Sequence, residues 1–466
     1  MKEYNLKAEP LKFIEIRNLT VSKQINEHGT AMVSGYIADT DEETYLKMLT
    51  GDVWEKIEET GKDGEAQTLF WGVVTGFTIE RAGDQKRMTL ELTTGTYFMD
   101  LKPHFRTFQD GTVTYEMIFR QITGTYENSG LIKNRSLTDT IGKLVMQHKE
   151  TDWEFLKRMA GRFHSFLVPS VRICGVKYFY DLPKGESYEL PKSIKYAVKK
   201  DLGDYRKKKY QGLQEMREGA CLEYIIQSRE DYQLGDRLSI NGLQLLVWKI
   251  NSRYEKGEMI HTCHIKSRPG LDVPETLQVD MAGCSFPAEV LQVKEDKVMV
   301  KVLKDENQEQ NINLWYPYST VYSTHDGTGW YCMPEIGDMV RLHIPEQRED
   351  EAYVVSSVHL DTESLDRKNP EHKIIKNKFQ KEIRFTPESI VITNNQGTKI
   401  ELNDTKGVYI VSQHDIVIKA KDDLTISSET GSLIAAGTAS VNLKQKTTSI
   451  DIDKGITFTG GELKVQ

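Results

Sequence analysis

Apolar residues along this chain change period from two to about 3.6 and back, then settle into a ladder of short beats. From Ser389 to Gln466 the pairs Ile390/Ile392, Ile400/Leu402, Ile416/Ile418, Leu424/Ile426, Val441/Leu443 and Ile450/Ile452 recur about every eight to ten residues. Each pair puts two side chains on one face of a short strand, with Thr, Lys, Asp or Ser opposite and Gly, Asn or Asp at the corners. Such a rung buries too little to stand alone, so the rungs must stack. Either three successive rungs of one chain close a triangular coil, or three chains each supply one face of a shared prism. In the prism each rung advances by about 4.8 Å, and roughly nine rungs make a rod on the order of 45 Å long.

Upstream, Phe13/Glu15/Arg17 and Ala31/Val33/Gly35 alternate around the turn Asn26-Glu27-His28-Gly29, a hairpin signal. The capping-box pattern Thr40-Asp41-Glu42-Glu43 predicts a short helix over Tyr45, Leu46, Met48 and Leu49, and Leu69 to Leu92 returns to strands around Ala82-Gly83-Asp84. Residues 1–100 therefore read as a β-barrel with one helix. Over 101–170 the period is helical: Thr114 caps a segment with Met117, Ile118 and Ile122 on one side, and Thr151-Asp152 caps one carrying Phe155, Leu156, Met159 and Phe163. From Val176 to Tyr180 and on to Ile265 the alternation resumes, which predicts a second barrel over 171–274. A third β-rich unit is expected at 275–360, a charged linker at 361–388 and the ladder at 389–466.

Length supports this modularity, since 466 residues at about 150 per domain give three or so domains. With 28% charged residues, net charge -8 and pI near 5.9, no electrostatic grip on nucleic acid is expected. The one dense basic patch, Lys199, Lys200 and Arg206 to Lys209, is interrupted by Asp201 and Asp204 and reads as a solvated strand or loop. Met1 to Leu19 has no apolar core of signal-peptide length, so synthesis in the cytoplasm is expected, and no run approaches the ~18 apolar residues of a membrane helix. Five cysteines at irregular spacing, Cys174, Cys221, Cys263, Cys284 and Cys332, do not read as a disulfide framework.

Little chemistry stands out against packing. Phe70/Trp71 and Trp330/Tyr331 read as one ring toward a core and one toward a surface. Gly327-x-Gly329 lacks the third glycine of a dinucleotide site, and Gly337-Asp338 reads as a tight turn. On a strand His261 and Cys263 share a face while His264 points away, leaving two metal donors at most. Asp152 and Glu154 suit the first turn of a helix, as cap and interface rather than catalytic pair. No phosphate loop, nucleophile elbow or zinc-protease helix occurs, so no enzyme, cofactor or metal is expected.

Five segments carry a family resemblance. Leu69-Phe70-Trp71-Gly72-Val73-Val74-Thr75, Phe105-Arg106-Thr107-Phe108-Gln109-Asp110 and Gln147-His148-Lys149-Glu150-Thr151-Asp152-Trp153-Glu154-Phe155-Leu156 resemble the hub of VgrG-type proteins. Those are the hub-spikes of type VI secretion systems, contractile phage tails and R-type bacteriocins. Trp315-Tyr316-Pro317 with Gly327 to Val340, including Gly329, Trp330, Pro334, Gly337 and Asp338, resembles the OB-fold barrel joining hub to spike. The resemblance implies a mainly β homotrimer: two hub barrels with a helical insert, an OB-fold barrel and a C-terminal intertwined triple-stranded β-helix. It favours the shared prism and implies Trp71, Phe108, Gln109, Asp110, Asp152, Trp153 and Phe155 as hub interface residues.

The implied function is mechanical, joining tail tube and baseplate to a needle that pierces the target cell envelope. Only about thirty residues separate Leu360 from Ser389, too few for the peptidoglycan-cleaving domain of some relatives. His414 is the only histidine in the rod and lies far from Val465-Gln466, so any metal or sharpened apex would belong to a separate tip-capping protein. Two competing readings are a tailspike-type polysaccharide or peptidoglycan hydrolase with paired carboxylates, and a trimeric adhesin stalk, which predicts a receptor-binding head after Gln466.

Overall fold

The computed structural model describes residues 5–60, 66–360, 364–452 and 454–459. It divides into two compact units, Met1–Leu360 and Asp361–Gln466.

Strands Glu15–Gln24 and Glu27–Ile37 pair antiparallel, and Asn26 turns between them at φ 62°, a left-handed conformation that asparagine tolerates. Their alternate residues, among them Leu19, Val21, Ala31 and Val33, are buried in one core with Phe70, Met88 and Leu90. Helix α1, Glu42–Met48, follows where expected. Its capping box does not form: Asp41 is the N-cap without a side-chain cap bond, because its carboxylate accepts instead from the Thr40 and Tyr45 hydroxyls. Strands Ala66–Ala82 and Gln85–Thr93 then turn at Gly83 (φ 67°).

The two expected barrels share one 12-stranded sheet. Strand Glu15–Gln24 pairs with Leu243–Glu255, and Ser22 donates to Asn251 at 3.0 Å across that seam. Each half of the sheet has its own core, one around Leu19 and Phe70, the other around Leu238, Val247 and Ile265.

Between the halves lie α2, Tyr115–Thr123, and α3, Asp152–Gly161, begun by Thr114 and Thr151, whose hydroxyls accept from Met117 N and Glu154 N. At α3 the Glu154 carboxylate also accepts from Thr151 N (3.0 Å), completing a capping box. Ile118, Ile122, Phe155, Leu156 and Met159 are buried together, but Met117 faces outward. The insert runs past its expected end at residue 170. Strand Lys177–Tyr180 pairs with Leu167–Pro169 and, in parallel, with Gly130–Lys133, because Tyr178 and Tyr180 bury in this core.

The basic run also departs from its expected form. Strand Tyr196–Lys200 leads into helix α4, Leu202–Tyr210, whose N-cap Asp201 accepts from Asp204 N at 2.9 Å. Lys207, Lys208 and Lys209 fall in its last turn, where cations suit the exposed carbonyl ends, and α4 buries no residue.

Residues 285–355 form a five-stranded sheet in the order Tyr316–Pro317, Lys297–Val302, Ser285–Lys294, Met339–His343, Tyr353–Val355. Its two ends meet through Tyr318 and Val354, with Ser319 N donating to Val354 O at 2.8 Å, so the sheet closes into a barrel. Ala288, Val290, Val298, Val300, Val340 and Leu342 fill it.

In the second unit, strands Lys373–Lys376, Glu382–Phe385, Ser389–Thr393, Lys399–Asn403 and Gly407–Val411 form an antiparallel meander, followed by a second of Val441–Gln445, Thr448–Ile452 and Ile456–Thr459. Consecutive rungs thus pair with each other, and among the described residues they form meanders rather than a triangular coil. Two strands come from the segment expected to be a linker, since Ile375, Ile383 and Phe385 continue the ladder's apolar columns. Ile416, Ile418, Leu424 and Ile426 lie on no strand and are exposed. The expected tip, Val465-Gln466, lies outside the described residues.

Candidate assembly surfaces and the hub–barrel joint

Most residues proposed for the hub interface are inside the chain. Phe108 stacks on Phe155 with centroids 5.9 Å apart, and both are buried. Trp153 is buried edge-on to Tyr178, and its indole donates to Asn26 O at 3.3 Å. Asp152, fully buried, accepts from Arg106 (2.5 Å), Gln147 (2.9 Å) and the Tyr126 hydroxyl (2.7 Å). A carboxylate so surrounded is a structural anchor, and burial corrects the expectation that Phe108, Gln109, Asp152, Trp153 and Phe155 face another molecule. Trp71 is half-buried with the Lys56 ammonium 4.9 Å above its ring.

What Phe105 to Gly111 does instead is hold the small barrel. Gln109 N donates to Gln310 Oε1 (2.6 Å), and Tyr316 Oη donates to Gln109 Oε1 (3.0 Å). Thr107 N donates to buried Asp305 (3.0 Å), and Gly111 N to Asn313 Oδ1 (2.7 Å). Asp110 accepts from Thr112, Asn311 and Asn313, and those bonds, Thr112 first, hold its carboxyl down at about 2.

Beside this seam sits a buried group of four charges. The Arg158 guanidinium donates to Glu150 (2.7 Å), Glu349 (2.9 Å) and Met146 O (2.6 Å), and Arg162 reaches the same Glu349 oxygen at 2.6 Å. Burial alone would raise the Glu349 carboxyl, but Arg158 and Arg162 outweigh it and hold it below its ordinary value. For Glu150 burial wins and the shift is upward. Sequence reasoning missed this cluster because Glu349 lies 191 positions from Arg158, and of the four only Glu150 falls in a quoted segment, where nothing marks it as paired.

On the barrel, Trp315 is half-buried, Pro334 buried, and Gly337 (φ 89°) makes the turn before Met339, where Asp338 accepts from Glu335 N at 2.8 Å. Trp330 and Tyr331 are both exposed, at 60% and 75%, because they ride a loop rather than alternating on a strand. Gly327 (φ 86°) and Gly329 (φ 148°) shape that loop, and a Cβ at 329 would stand 2.3 Å from Tyr322 O. His261 meets Ser252 at 2.7 Å and His264 meets Glu223 at 2.7 Å, so the three metal-like residues are separately engaged or, like Cys263, buried. All five cysteines are free thiols.

The ladder's register gathers exposed apolar residues into columns. Ile375, Ile383, Ile392, Ile400 and Ile410 stand directly opposite one another across five strands, and Phe385, Ile390, Leu402 and Val408 form the adjacent column. All lie on one face, and all but the half-buried Ile383 are exposed. The other face carries Glu382 and Arg384, paired with each other and with Lys376 and Asp366, and Lys399 paired with Glu401 at 2.7 Å. In the second meander Val441 faces Ile452 and Leu443 faces Ile450, with Leu443 and Ile452 exposed.

Comparison with known proteins matches these features. The family model of the type VI secretion system and phage-baseplate injector OB domain matches residues 287–359. No curated protein sequence matches the chain. Among solved structures, the E. coli c3393 protein, described as a type VI secretion component similar to the T4 phage tail proteins gp27 and gp5, superposes with TM-score 0.54 at 15% identity, over 75% of this chain and 99% of that one. A chain of the half-lidded Francisella PdpA–VgrG complex gives TM-score 0.57 at 10% identity, covering 88% of each. The lidless form of that complex gives 0.56 at 9%, over 88% of this chain and 98% of that one. The chain is therefore mainly β, carries an injector OB domain at residues 287–359, and has the fold of the VgrG-type hub-spike proteins.

Proposed function

We propose that three copies of this chain assemble into a hub and spike closing the front of a contractile injection apparatus. The shared sheet and helical insert bind tail tube and baseplate, and the second unit leads as the rod that pierces the target envelope. One observation carries this reading: the two apolar columns of the meander are formed in register yet uncovered in a single chain. Each half-exposed Ile, Leu or Phe there loses roughly 1 kcal/mol of burial, a deficit that two further copies remove by closing a prism with these faces inward. Paired charges on the outer face keep the prism soluble and discourage sideways strand addition.

Light scattering on the full chain tests it, with an expected mass of three times 53.4 kDa. Ile392→Asp with Ile400→Asp puts like charges opposite each other on the inward face and is expected to abolish the trimer. A stable monomer of the unaltered chain, or a double variant that stays trimeric, would refute the shared prism.

A further inference from the structure

One end of the 12-stranded sheet is strand Tyr196–Lys200, which among the described residues pairs only with Leu222–Ser228 and leaves its other edge bare. Register fixes what each face of that edge presents. Tyr196 stands opposite Ile226 and Val198 opposite Tyr224, so both share the face on which Ile226 is buried in the second core. Yet Tyr196 and Val198 are 45% and 50% exposed: the core layer runs out here with two apolar side chains half uncovered. Lys199, on the opposite face, stands across from Glu223, whose carboxylate is engaged by His264 at 2.7 Å.

Charge around this edge has one dominant sign. From Lys192 to Glu223 there are nine Lys and Arg against five Asp and Glu, in a chain whose net charge is -8. Four of the five carboxylates are already engaged: Asp201 caps α4, Asp204 pairs with Lys208, Glu218 with Lys200, and Glu223 with His264. Lys192, Lys195, Lys199, Arg206 and Lys207 are exposed and form no salt bridge among the described residues. Lysines on a bare edge repel indiscriminate strand addition. That repulsion is selective, since it turns away a second copy of this lysine-rich edge and admits a strand that carries carboxylates.

We propose that this edge takes up, as an added strand, an extended segment of a partner protein that alternates Asp or Glu with apolar residues. The segment's backbone continues the ladder, its apolar side chains cover Tyr196 and Val198, and its carboxylates, on the other face, meet Lys199 and the cations flanking the strand. Nucleic acid and anionic lipid match the lysines but bring no peptide ladder and no alternating apolar side chains. The bare sheet edge is therefore the observation that selects a protein.

The test uses the full chain and a labelled synthetic peptide alternating glutamate with valine, read by fluorescence anisotropy and by hydrogen exchange over residues 196–200. Saturable binding is expected, with slowed exchange of alternate amides in that strand. A peptide of the same composition, with its glutamates and valines in separate blocks, binds about tenfold more weakly, and a fully N-methylated peptide slows no exchange. Lys195→Gln with Lys199→Gln weakens binding by about tenfold, whereas Lys102→Gln with Lys421→Gln, equal in charge and exposed elsewhere, leaves it nearly unchanged. No saturable binding, equal binding of the block peptide, or equal weakening in both lysine pairs overturns the proposal. Binding of oligothymidylate or phosphatidylserine vesicles as tight as that of the peptide overturns it in favour of a general polyanion surface. Edge amides that exchange slowly before any peptide is added also overturn it, because another copy then already covers the edge.

Discussion

Glu55 shows how far one side chain departs from its solution chemistry here. Its carboxyl is sealed in the first core: Oε2 accepts from Leu11 N at 3.1 Å, and Oε1 has no partner. Burial pushes its pKa up to about 8, against a smaller downward pull from the Leu11 N–H. The folded chain therefore keeps a proton that the unfolded chain releases above the ordinary value of 4.5. Its contribution to stability is complete below that value, declines as pH rises toward 8, and levels off beyond. Each unit of that window is worth about 1.4 kcal/mol, a few kcal/mol in all. Denaturant titrations between pH 5 and 8 should show this decline in the native chain and a flatter profile in Glu55→Gln; parallel profiles would mean that the carboxyl ionises freely where it sits. Nothing in the alternating run Trp54 to Thr60 distinguishes Glu55 from its neighbours, because the N–H it accepts from comes from Leu11, 44 positions away.

At the scale of elements, local signals were read well and long-range ones were not. Thr114 and Thr151 cap their helices because a cap is decided within four residues, whereas Thr40 failed when Tyr45 drew the Asp41 carboxylate away. Helix α4 escaped notice because its exposed sides leave no apolar period to detect. Hidden altogether was the Arg158 cluster, on which α3 and the small barrel both depend. Replacing Arg158 by Met strands Glu150 and Glu349 in a dry seam with Arg162 alone, and is expected to destabilise the full chain by about 3–5 kcal/mol in urea titration. Arg158→Met combined with Glu349→Gln should recover a good part of that loss, since the stranded charge and not the missing contact is the main cost. Failure of the second change to help would show that packing, not charge, governs the seam. Acid should loosen the same joint: Glu349 is held below its ordinary value, so the stability it lends is present above about pH 4.5 and fades as pH falls through its lowered folded value.

Across the whole molecule, the β-rich order and the rungs at Ile390/Ile392, Ile400/Leu402, Val441/Leu443 and Ile450/Ile452 were legible in apolar spacing, whereas the expected rungs Ile416/Ile418 and Leu424/Ile426 lie on no strand. Boundaries were less legible. The linker proved to contain two ladder strands, Lys373–Lys376 and Glu382–Phe385, whose flanking lysines and glutamates mask the Ile375, Ile383 and Phe385 columns when read as composition. The hub residues quoted for the family resemblance were sound as markers of the fold and misleading as surfaces: a motif that persists in a fold can do so because it is core.

The placement of Glu349, late in the small barrel yet locked to Arg158 in the insert, bears on how such chains can be recombined. A crossover near residue 275 would transplant a barrel away from the guanidinium that neutralises it and leave two mismatched halves, each with a bare buried charge. Splicing beyond Leu360, where the first compact unit closes, leaves that pairing whole. Chimeras exchanging everything after Leu360 should therefore stay soluble with a foreign tip, while those cut near 275 should be recovered aggregated unless donor and recipient happen to carry the same acid–guanidinium pair.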